Sequence, residues 1–249
     1  MRILIGIDDT DNKESRGTGY NARQLASAIE DQKLGKVPGI TRHQLYVHPE
    51  IPYTSKNSSA CLDVKTDVGV EHLKQFCRYF MLQNAADGSD VGLCIAKSDY
   101  VDPDIVKWGE EAKTLVLNKD KAAELAKRST IYLEGLTGTF EGIIGALAAV
   151  GLRKGGNDGR FIWLNAAQNL RHIEQDTYTI QFLITNTGIS EVQSIENEII
   201  KNTDKVNLNG WARPILKNNE AVLLVEKTIN NSHYEWRCAA KKWVKNLSN

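Results

Sequence analysis

Residues 3–11 read Ile-Leu-Ile-Gly-Ile-Asp-Asp-Thr-Asp, a short apolar run that ends abruptly in carboxylates. The β-branched residues of this run predict a buried strand over Ile3–Ile7. Asp8, Asp9 and Asp11 then follow the strand, at the edge of an α/β sheet where ligands commonly bind. Carboxylates this close repel one another, and each raises the pKa of its neighbours. A hard cation such as Mg²⁺ would relieve that repulsion, so the three aspartates are candidate metal ligands.

A threonine between two glycines follows the acidic residues. Gly17, Thr18 and Gly19 lead into a helix predicted at 22–29. Backbone N–H groups at a helix N-terminus favour phosphate, and glycines let the chain approach a ligand closely. Together with a metal ion, these parts predict a nucleotide site. The alternative is a solvated turn followed by a helix cap, in which the Thr18 hydroxyl is only the N-cap.

A second glycine-containing segment carries candidate nucleotide-binding residues. Gly138, Thr139 and Gly142 precede a helix of small residues predicted to end near Val150, with Gly151 as its C-cap. Their backbone N–H groups could face phosphates, whereas the alternative is close packing of helix on sheet.

Basic residues offer two weaker candidates. Lys56, in a loop of small hydroxyl residues, could balance phosphate charge, or be a solvated lysine. Arg153, Lys154 and Arg160 form a basic stretch that could contact an anionic substrate, although a solvated loop is the favoured interpretation.

Strand and helix patterns interleave along the whole chain, which predicts an α/β or α+β fold with a mixed sheet and flanking helices. We predict a nucleotide-binding domain over 1–152, a flexible connection at 153–160 and a smaller α+β domain of ferredoxin-like type over 161–249. Short strands are predicted at 60–64, 91–96, 114–117, 131–133, 179–184 and 221–225, and helices at 70–80, 104–113, 121–128, 192–200 and 236–244.

Net charge, the length of apolar runs and the cysteines bear on the class of protein. The 249 residues carry 31 Lys plus Arg against 31 Asp plus Glu, so overall charge does not favour nucleic-acid binding. Apolar runs are shorter than the roughly 20 residues that span a bilayer, and the first residues do not form a signal peptide. We expect four free thiols, a cytoplasmic protein and no membrane partner, with a homo-oligomer left open.

Three segments together resemble the archaeal tRNA(Ile) 2-agmatinylcytidine synthetases. Residues 6–20 look like the opening of these enzymes, and 51–57 resemble their Ile-Pro-Tyr stretch. Residues 142–151 are close to their Gly-Leu-Ile-Gly-Ala-Leu-Ala-Ala-Val-Gly segment. The segments occur in the family's order, which makes their agreement more specific than any one of them.

The resemblance implies an unusual kinase-like N-terminal domain. The family uses ATP to join agmatine to a wobble cytidine of tRNA, phosphorylating the carbonyl oxygen of the base and also a threonine of the enzyme. By motif position that threonine corresponds to Thr18 here. The resemblance also implies that Asp8, Asp9 and Asp11 match the carboxylates for metal and phosphate.

This chain differs from the family at several positions, so only some of the family's properties are expected here. Gly17 stands where the family has a cysteine, and Gly19 replaces a second threonine. We expect this chain to lack the family's C-terminal RNA-binding fold and zinc ribbon, and residues after 155 match poorly. We therefore expect ATP and Mg²⁺ to be used on an unidentified small-molecule or RNA acceptor, without tight tRNA binding by this chain alone. The alternatives are a nucleotide- or RNA-binding module without turnover and, less favoured, a solute-binding protein.

Overall fold

The computed structural model describes residues 1–51, 57–174, 176–229 and 233–247. Twelve strands in these residues form one mixed sheet, and seven α-helices accompany it, which confirms the predicted fold class. The strands are β1 Arg2–Asp8, β2 Lys36–Gln44, β3 Ser58–Lys65, β4 Gly92–Lys97, β5 Tyr132–Gly135, β6 Arg160–Leu164, β7 Thr177–Thr179, β8 Glu191–Ser194, β9 Lys205–Asn207, β10 Ile215–Lys217, β11 Glu220–Lys227 and β12 Trp236–Cys238. The helices are α1 Thr18–Asp31, α2 Val70–Asn84, α3 Pro103–Glu111, α4 Lys119–Arg128, α5 Ile143–Gly155, α6 Ile180–Thr187 and α7 Lys241–Leu247.

The strand order is β5-β4-β1-β3-β2-β6-β10-β11-β12-β9-β7, with β8 paired to β11. β1 is antiparallel to both of its neighbours, so Asp8 at its end lies opposite Gly92 at the start of β4. The rule that ligands bind where parallel strands end therefore does not apply here. The site instead forms where the end of β1 meets the beginnings of β3 and β4.

Alternate residues of β1 face opposite sides of the sheet. Its three isoleucines pack with α1 and α2, whereas Leu4 packs with α3 and α5. Gly6 shares the Leu4 face, and a Cβ at Gly6 would overlap the carbonyl oxygen of Ala146 on α5. The backbone of α5 thus lies directly on β1. This close approach brings Asp8, two residues further along the same face, against Gly145.

Helix α5 ends later than predicted. Gly151 is not its C-cap, because the helix runs to Gly155 and ends at Gly156 in the left-handed conformation (φ +77°). A Cβ at Gly151 would overlap the carbonyl oxygen of Ile105, so this glycine permits the packing of α5 on α3.

Strand β6 connects the two predicted domains within one sheet. It pairs with β2 on one side and with β10 on the other. The predicted connection holds ordered contacts: Arg153 is buried and donates to Asp63 (2.6 Å), and Asp158 lies 2.9 Å from His43 Nδ1. The division into domains stays a prediction.

Several predicted elements after α3 are wrong. Residues 114–117 form no strand, and the predicted strand at 179–184 is helix α6, whose N-cap Thr179 accepts a hydrogen bond from Phe182 N (3.2 Å). The helix predicted at 192–200 is replaced by β8, and the one at 236–244 by β12 followed by α7. From β6 onward the described elements run β-β-α-β-β-β-β-β-α, which differs from the β-α-β-β-α-β order of a ferredoxin-like fold.

Two smaller expectations can be compared with the structure. All four cysteines are free, as predicted, and all four are buried. None of the described helices combines the length and the apolar character needed to cross a membrane.

Candidate active site

An open cleft lies at the end of β1 and has an empty volume of about 870 Å³. We call it the acidic cleft, because five carboxylate residues line it: Asp8, Asp9, Asp11, Glu50 and Glu141. The rest of its lining is largely apolar and includes Leu45, Ile51, Leu115, Val116, Leu117 and Ile144. Residues 115–117, wrongly predicted as strand, thus contribute an apolar wall.

Asp8 lies at the base of this cleft in an environment that opposes its charge. Burial and, to a smaller extent, the neighbouring charge of Asp9 raise the pKa of its carboxyl to about 8, while Arg42 acts in the opposite direction. Room for this carboxylate depends on Gly145, because a Cβ there would overlap Asp8 Oδ2. The glycines of α5 are therefore needed for the acidic cleft as well as for helix packing.

Asp9 adopts a backbone conformation that is rare for a residue other than glycine, with φ at +49°. Burial raises the pKa of its carboxyl to about 6, with further contributions from the charges of Asp90 and Asp11. Asp90 is a member of this group that sequence reasoning missed. It lies just before β4, and only the antiparallel pairing of β4 with β1 brings it close to Asp9.

Asp11 and Thr18 form the best-defined contact of the site. Asp11 Oδ1 accepts hydrogen bonds from the backbone N–H of Thr18 (2.9 Å) and from its hydroxyl (2.8 Å). Thr18 is not the N-cap, because that position belongs to Gly17, which has no side-chain cap. The carboxylate of Asp11 takes over the capping role, and the hydroxyl of Thr18 is left as a donor to it.

The loop between β1 and α1 is anchored by two residues that the sequence did not single out. Thr10 is fully buried, and its N–H and hydroxyl lie 3.4 and 3.3 Å from Thr18 Oγ1. Asn21 on α1 donates to Thr10 O (3.2 Å) and Oγ1 (2.9 Å). These contacts fix the Thr18 side chain beside Asp11 at the wall of the acidic cleft.

A metal site of three aspartates is not preformed. Nowhere in the described ranges do three or more His, Cys, Asp or Glu side chains converge as metal ligands. One oxygen of Asp11 is already engaged by Thr18. Asp8 and Asp9 remain as carboxylates whose charges repel, and this pair suits Mg²⁺, which commonly takes one or two carboxylates and completes its shell with phosphate and water.

The second glycine loop contributes less than expected. Gly142 lines the acidic cleft, but Gly138 and Thr139 do not. Asp90 accepts hydrogen bonds from the Thr139 hydroxyl (2.5 Å) and from the N–H of Phe140 (2.6 Å), so these donors are used within the protein. Thr139 does not cap α5, whose N-cap is Gly142.

The predicted lysine of the site, Lys56, lies outside the described residues and stays a prediction. On either side of the undescribed stretch, Ile51 and Asn57 both line the acidic cleft.

A second open cavity lies on the other side of Thr18, and we call it the arginine groove. It is lined by Arg16, Arg23, Arg42, Arg160 and Arg171, together with the predicted nucleotide-binding residues Gly17 and Gly19. Asp11, Thr18 and Ser58 line both the arginine groove and the acidic cleft. The site therefore consists of two adjoining compartments of opposite charge at the carboxyl end of β1.

Comparison with known proteins finds similarity to one group of tRNA-modifying enzymes. Over 156 residues, 60% of this chain, it is 28% identical to the tRNA 2-agmatinylcytidine synthetase TiaS of Methanosarcina mazei, of which the match covers 35%. It is 30% identical over 164 residues to TiaS of Archaeoglobus fulgidus, covering 36% of that protein. An uncharacterized protein of Methanocaldococcus jannaschii is 26% identical over 155 residues, half of its length. No family model matches the chain.

Solved structures give the same result. The complex of TiaS with its tRNA and ATP superposes with a TM-score of 0.54 at 28% identity, covering 61% of this chain and 36% of that one. Apo TiaS gives a TM-score of 0.53 at 27% identity, covering 61% of this chain and 35% of that one. The predicted resemblance is therefore confirmed over about three fifths of the chain, which spans half or less of the length of the curated relatives it matches.

Proposed function

We propose that this chain binds ATP in the acidic cleft and transfers its γ-phosphoryl group to an acceptor, or uses ATP to activate one. The similarity to TiaS, one of whose structures is a complex with tRNA and ATP, supports the use of ATP. We further infer a cytoplasmic protein whose partners are a nucleotide and either a small-molecule or an RNA acceptor.

The hydrogen bond from the Thr18 hydroxyl to Asp11 carries the proposal. A hydroxyl is a weak nucleophile unless a base takes its proton, and a carboxylate oxygen at 2.8 Å is within reach of that proton. In the proposed step, Thr18 Oγ1 attacks the γ-phosphorus, its proton passes to Asp11, and the bond between the γ-phosphorus and the bridging oxygen breaks to release ADP. The buried contacts with Thr10 and Asn21 hold the hydroxyl in position.

The acidic cleft supplies the remaining requirements for a nucleotide. Its apolar wall offers a surface for the adenine ring. Asp8 and Asp9 would hold Mg²⁺ together with phosphate oxygens, and the ion would supply neutralisation of the charge that builds up during phosphoryl transfer. Asp11, on this proposal, positions and deprotonates Thr18, a role different from the metal ligation predicted for it.

Intact-mass measurement after incubation with ATP and Mg²⁺ tests this proposal. The wild-type chain and Thr18→Ser should gain the mass of one phosphate. Thr18→Val keeps the shape and the backbone N–H that Asp11 binds, so it should fold, with some loss of stability because the buried Thr10 loses a partner, but it should gain no phosphate. A wild-type chain that never gains phosphate while hydrolysing ATP would reduce Thr18 to a positioning residue.

The dependence on metal is tested separately by calorimetry. Asp9→Asn should weaken the Mg²⁺-dependent part of ATP binding by about tenfold, since it removes one of two carboxylates at the ion. Identical ATP affinity in Mg²⁺ and in EDTA would contradict a role for the metal.

A second candidate function is nucleotide binding without turnover. It is favoured by the burial of Thr18, which is only 7% exposed and whose hydroxyl is engaged by Asp11. On this alternative the wild-type chain binds ATP and Mg²⁺, but neither gains phosphate nor releases ADP.

A further inference from the structure

The arginines of this chain divide into two groups. Of the eleven in the sequence, five lie in ion pairs with Asp or Glu: Arg2, Arg78, Arg128, Arg153 and Arg237. The other six form no ion pair within the described ranges: Arg16, Arg23, Arg42, Arg160, Arg171 and Arg213. Five of these six line the arginine groove, and Arg213 lies close enough for its charge to act on Arg23. Unpaired guanidinium groups are thus concentrated in one place.

The groove brings like charges together at a cost to the fold. Arg42 on β2 stands directly opposite Arg160 on β6, and like charges in such cross-strand positions destabilise a sheet. Burial lowers the pKa of Arg42 to about 10, and the charge of Arg160 contributes to this. Within the described residues, Arg42 donates to the neutral Ser58 hydroxyl at 2.6 Å and forms no ion pair with a carboxylate. An anion bound between the two guanidinium groups would offset their repulsion.

Two other features of the groove favour an anion. The N-terminus of α1, with Gly17 and Gly19, lies on its wall and adds the positive end of the helix dipole. Ser59 also lines the groove, and its buried hydroxyl has no hydrogen-bond partner in the described part of the chain. Guanidinium groups bind phosphate oxygens through two parallel hydrogen bonds, which makes arginine the preferred residue for phosphate esters.

We propose that the arginine groove binds phosphate groups of the acceptor, seated on Arg42 and Arg160, while ATP occupies the acidic cleft. The acceptor would therefore be a phosphate ester. Its reactive group would reach Thr18 from the groove side of the shared wall formed by Asp11, Thr18 and Ser58. The proposal that the groove binds phosphate depends only on the groove itself. The proposal that this phosphate belongs to the acceptor rests on the proposed function.

Calorimetric titration with inorganic pyrophosphate, without ATP or metal, tests the groove directly. A double variant that combines Arg42→Gln with Arg160→Gln should weaken pyrophosphate binding about tenfold or more. A second double variant, Arg23→Gln with Arg171→Gln, should have the same effect, and it guards against the case in which the first one misfolds locally. Arg128→Gln, an exposed arginine paired with Asp104, is the matched control and should bind normally. Absence of pyrophosphate binding, or binding by both double variants at the wild-type affinity, would overturn the proposal.

Competition separates the groove from the nucleotide site. Saturating ATP with Mg²⁺ should leave pyrophosphate bound, and Asp9→Asn should not change pyrophosphate affinity. One-for-one displacement by ATP would overturn the proposal by assigning the groove to the nucleotide. If pyrophosphate binds as expected but Thr18 never gains phosphate, the phosphate site stands and the proposed function fails.

Two phosphate esters then identify the source of the acceptor. Displacement of pyrophosphate by a nucleoside 5′-monophosphate supports a small phosphorylated acceptor, and displacement only by a single-stranded RNA decamer supports a polynucleotide. Displacement by neither would show an adventitious ion only and would overturn the assignment to the acceptor.

Discussion

The acidic cleft and the arginine groove are neighbours that differ in nearly every property except their shared wall. The cleft combines carboxylates with an apolar lining, and burial opposes the charges of Asp8 and Asp9. The groove combines unpaired arginines with a helix N-terminus. Arg42 attracts the Asp8 carboxylate, but burial and the charge of Asp9 outweigh this attraction and the pKa of Asp8 stays raised. The two compartments therefore differ in the charge they favour in a ligand.

The largest effect is expected from closing the acidic cleft at Gly145. A methyl group in Gly145→Ala would overlap Asp8 Oδ2 and displace the carboxylate. Displacement of a catalytic group by about 1 Å can cost about 100-fold in rate, so the rate of phosphate uptake should fall by about that factor. Pyrophosphate binding in the arginine groove should be unchanged.

The matched control for this variant is Gly69→Ala. Gly69 precedes α2, and a Cβ there meets no atom within 4 Å. A Gly145→Ala protein that takes up phosphate at the wild-type rate would contradict the assigned position of Asp8.

The next effect concerns stability and pH. Because its pKa is raised to about 8, folded Asp8 keeps its proton after the unfolded chain has lost it near pH 4. The folded state then binds more protons, so the free energy of unfolding falls as pH rises from about 4 to about 8. Asp8→Asn has no titrating carboxyl at this position, so its stability does not fall in this way. Its free energy of unfolding should exceed that of the wild type by on the order of 2 kcal/mol at pH 8, but not at pH 4. Denaturant unfolding across this range measures the difference.

Asp67→Asn, at an exposed aspartate, serves as the control for the pH experiment. Parallel pH profiles for Asp8→Asn and the wild type would show that Asp8 is ionised in the folded protein at neutral pH.

A smaller effect of the same kind is expected in the arginine groove. Arg160→Gln removes one of two like charges that face each other across β2 and β6, so it should raise the free energy of unfolding by about 0.5 kcal/mol at low salt. Arg237→Gln is the matched control, because Arg237 stands opposite Glu226 on the neighbouring strand and its loss should not stabilise. Thermal unfolding at low ionic strength compares the two, and equal shifts would argue against repulsion in the groove.

The smallest signal is expected with intact tRNA. The chain has zero net charge, and phosphate contacts supply most non-specific affinity for nucleic acid. A filter-binding assay at physiological salt should therefore give affinity weaker than about 1 μM. Submicromolar, structure-specific binding would instead make the groove part of a larger RNA surface.

Local patterns predicted the parts of the site that are close together in sequence. The strand before Asp8, the helix after Thr18 and the crowding of the aspartates all follow from residues 3–31, and each is present. Asp90 was missed because its place depends on the pairing of β4 with β1. The arginine groove was missed for a similar reason, since Arg16, Arg42 and Arg160 meet only in the folded sheet.

The predicted elements after β6 were largely wrong because the local signals there are short. Residues 179–184 are an apolar, β-branched run that fits a strand or a buried helix equally well. The N-cap at Thr179 and the left-handed C-cap at Gly188 favour a helix, and neither signal was recognised from the sequence. The basic stretch at 153–160 was also misjudged, because Arg153 is buried against Asp63 while Arg160, the first residue of β6, lines the groove.

The position of β6 has a consequence for any shortened form of this protein. A fragment that stopped at Gly155 would keep β2 but lose β6, the strand that covers its outer side. The uncovered edge of β2 would then present unpaired N–H and C=O groups, which is the geometry that recruits strands from other molecules. Such a fragment would tend to aggregate edge to edge, even though most of its core would remain.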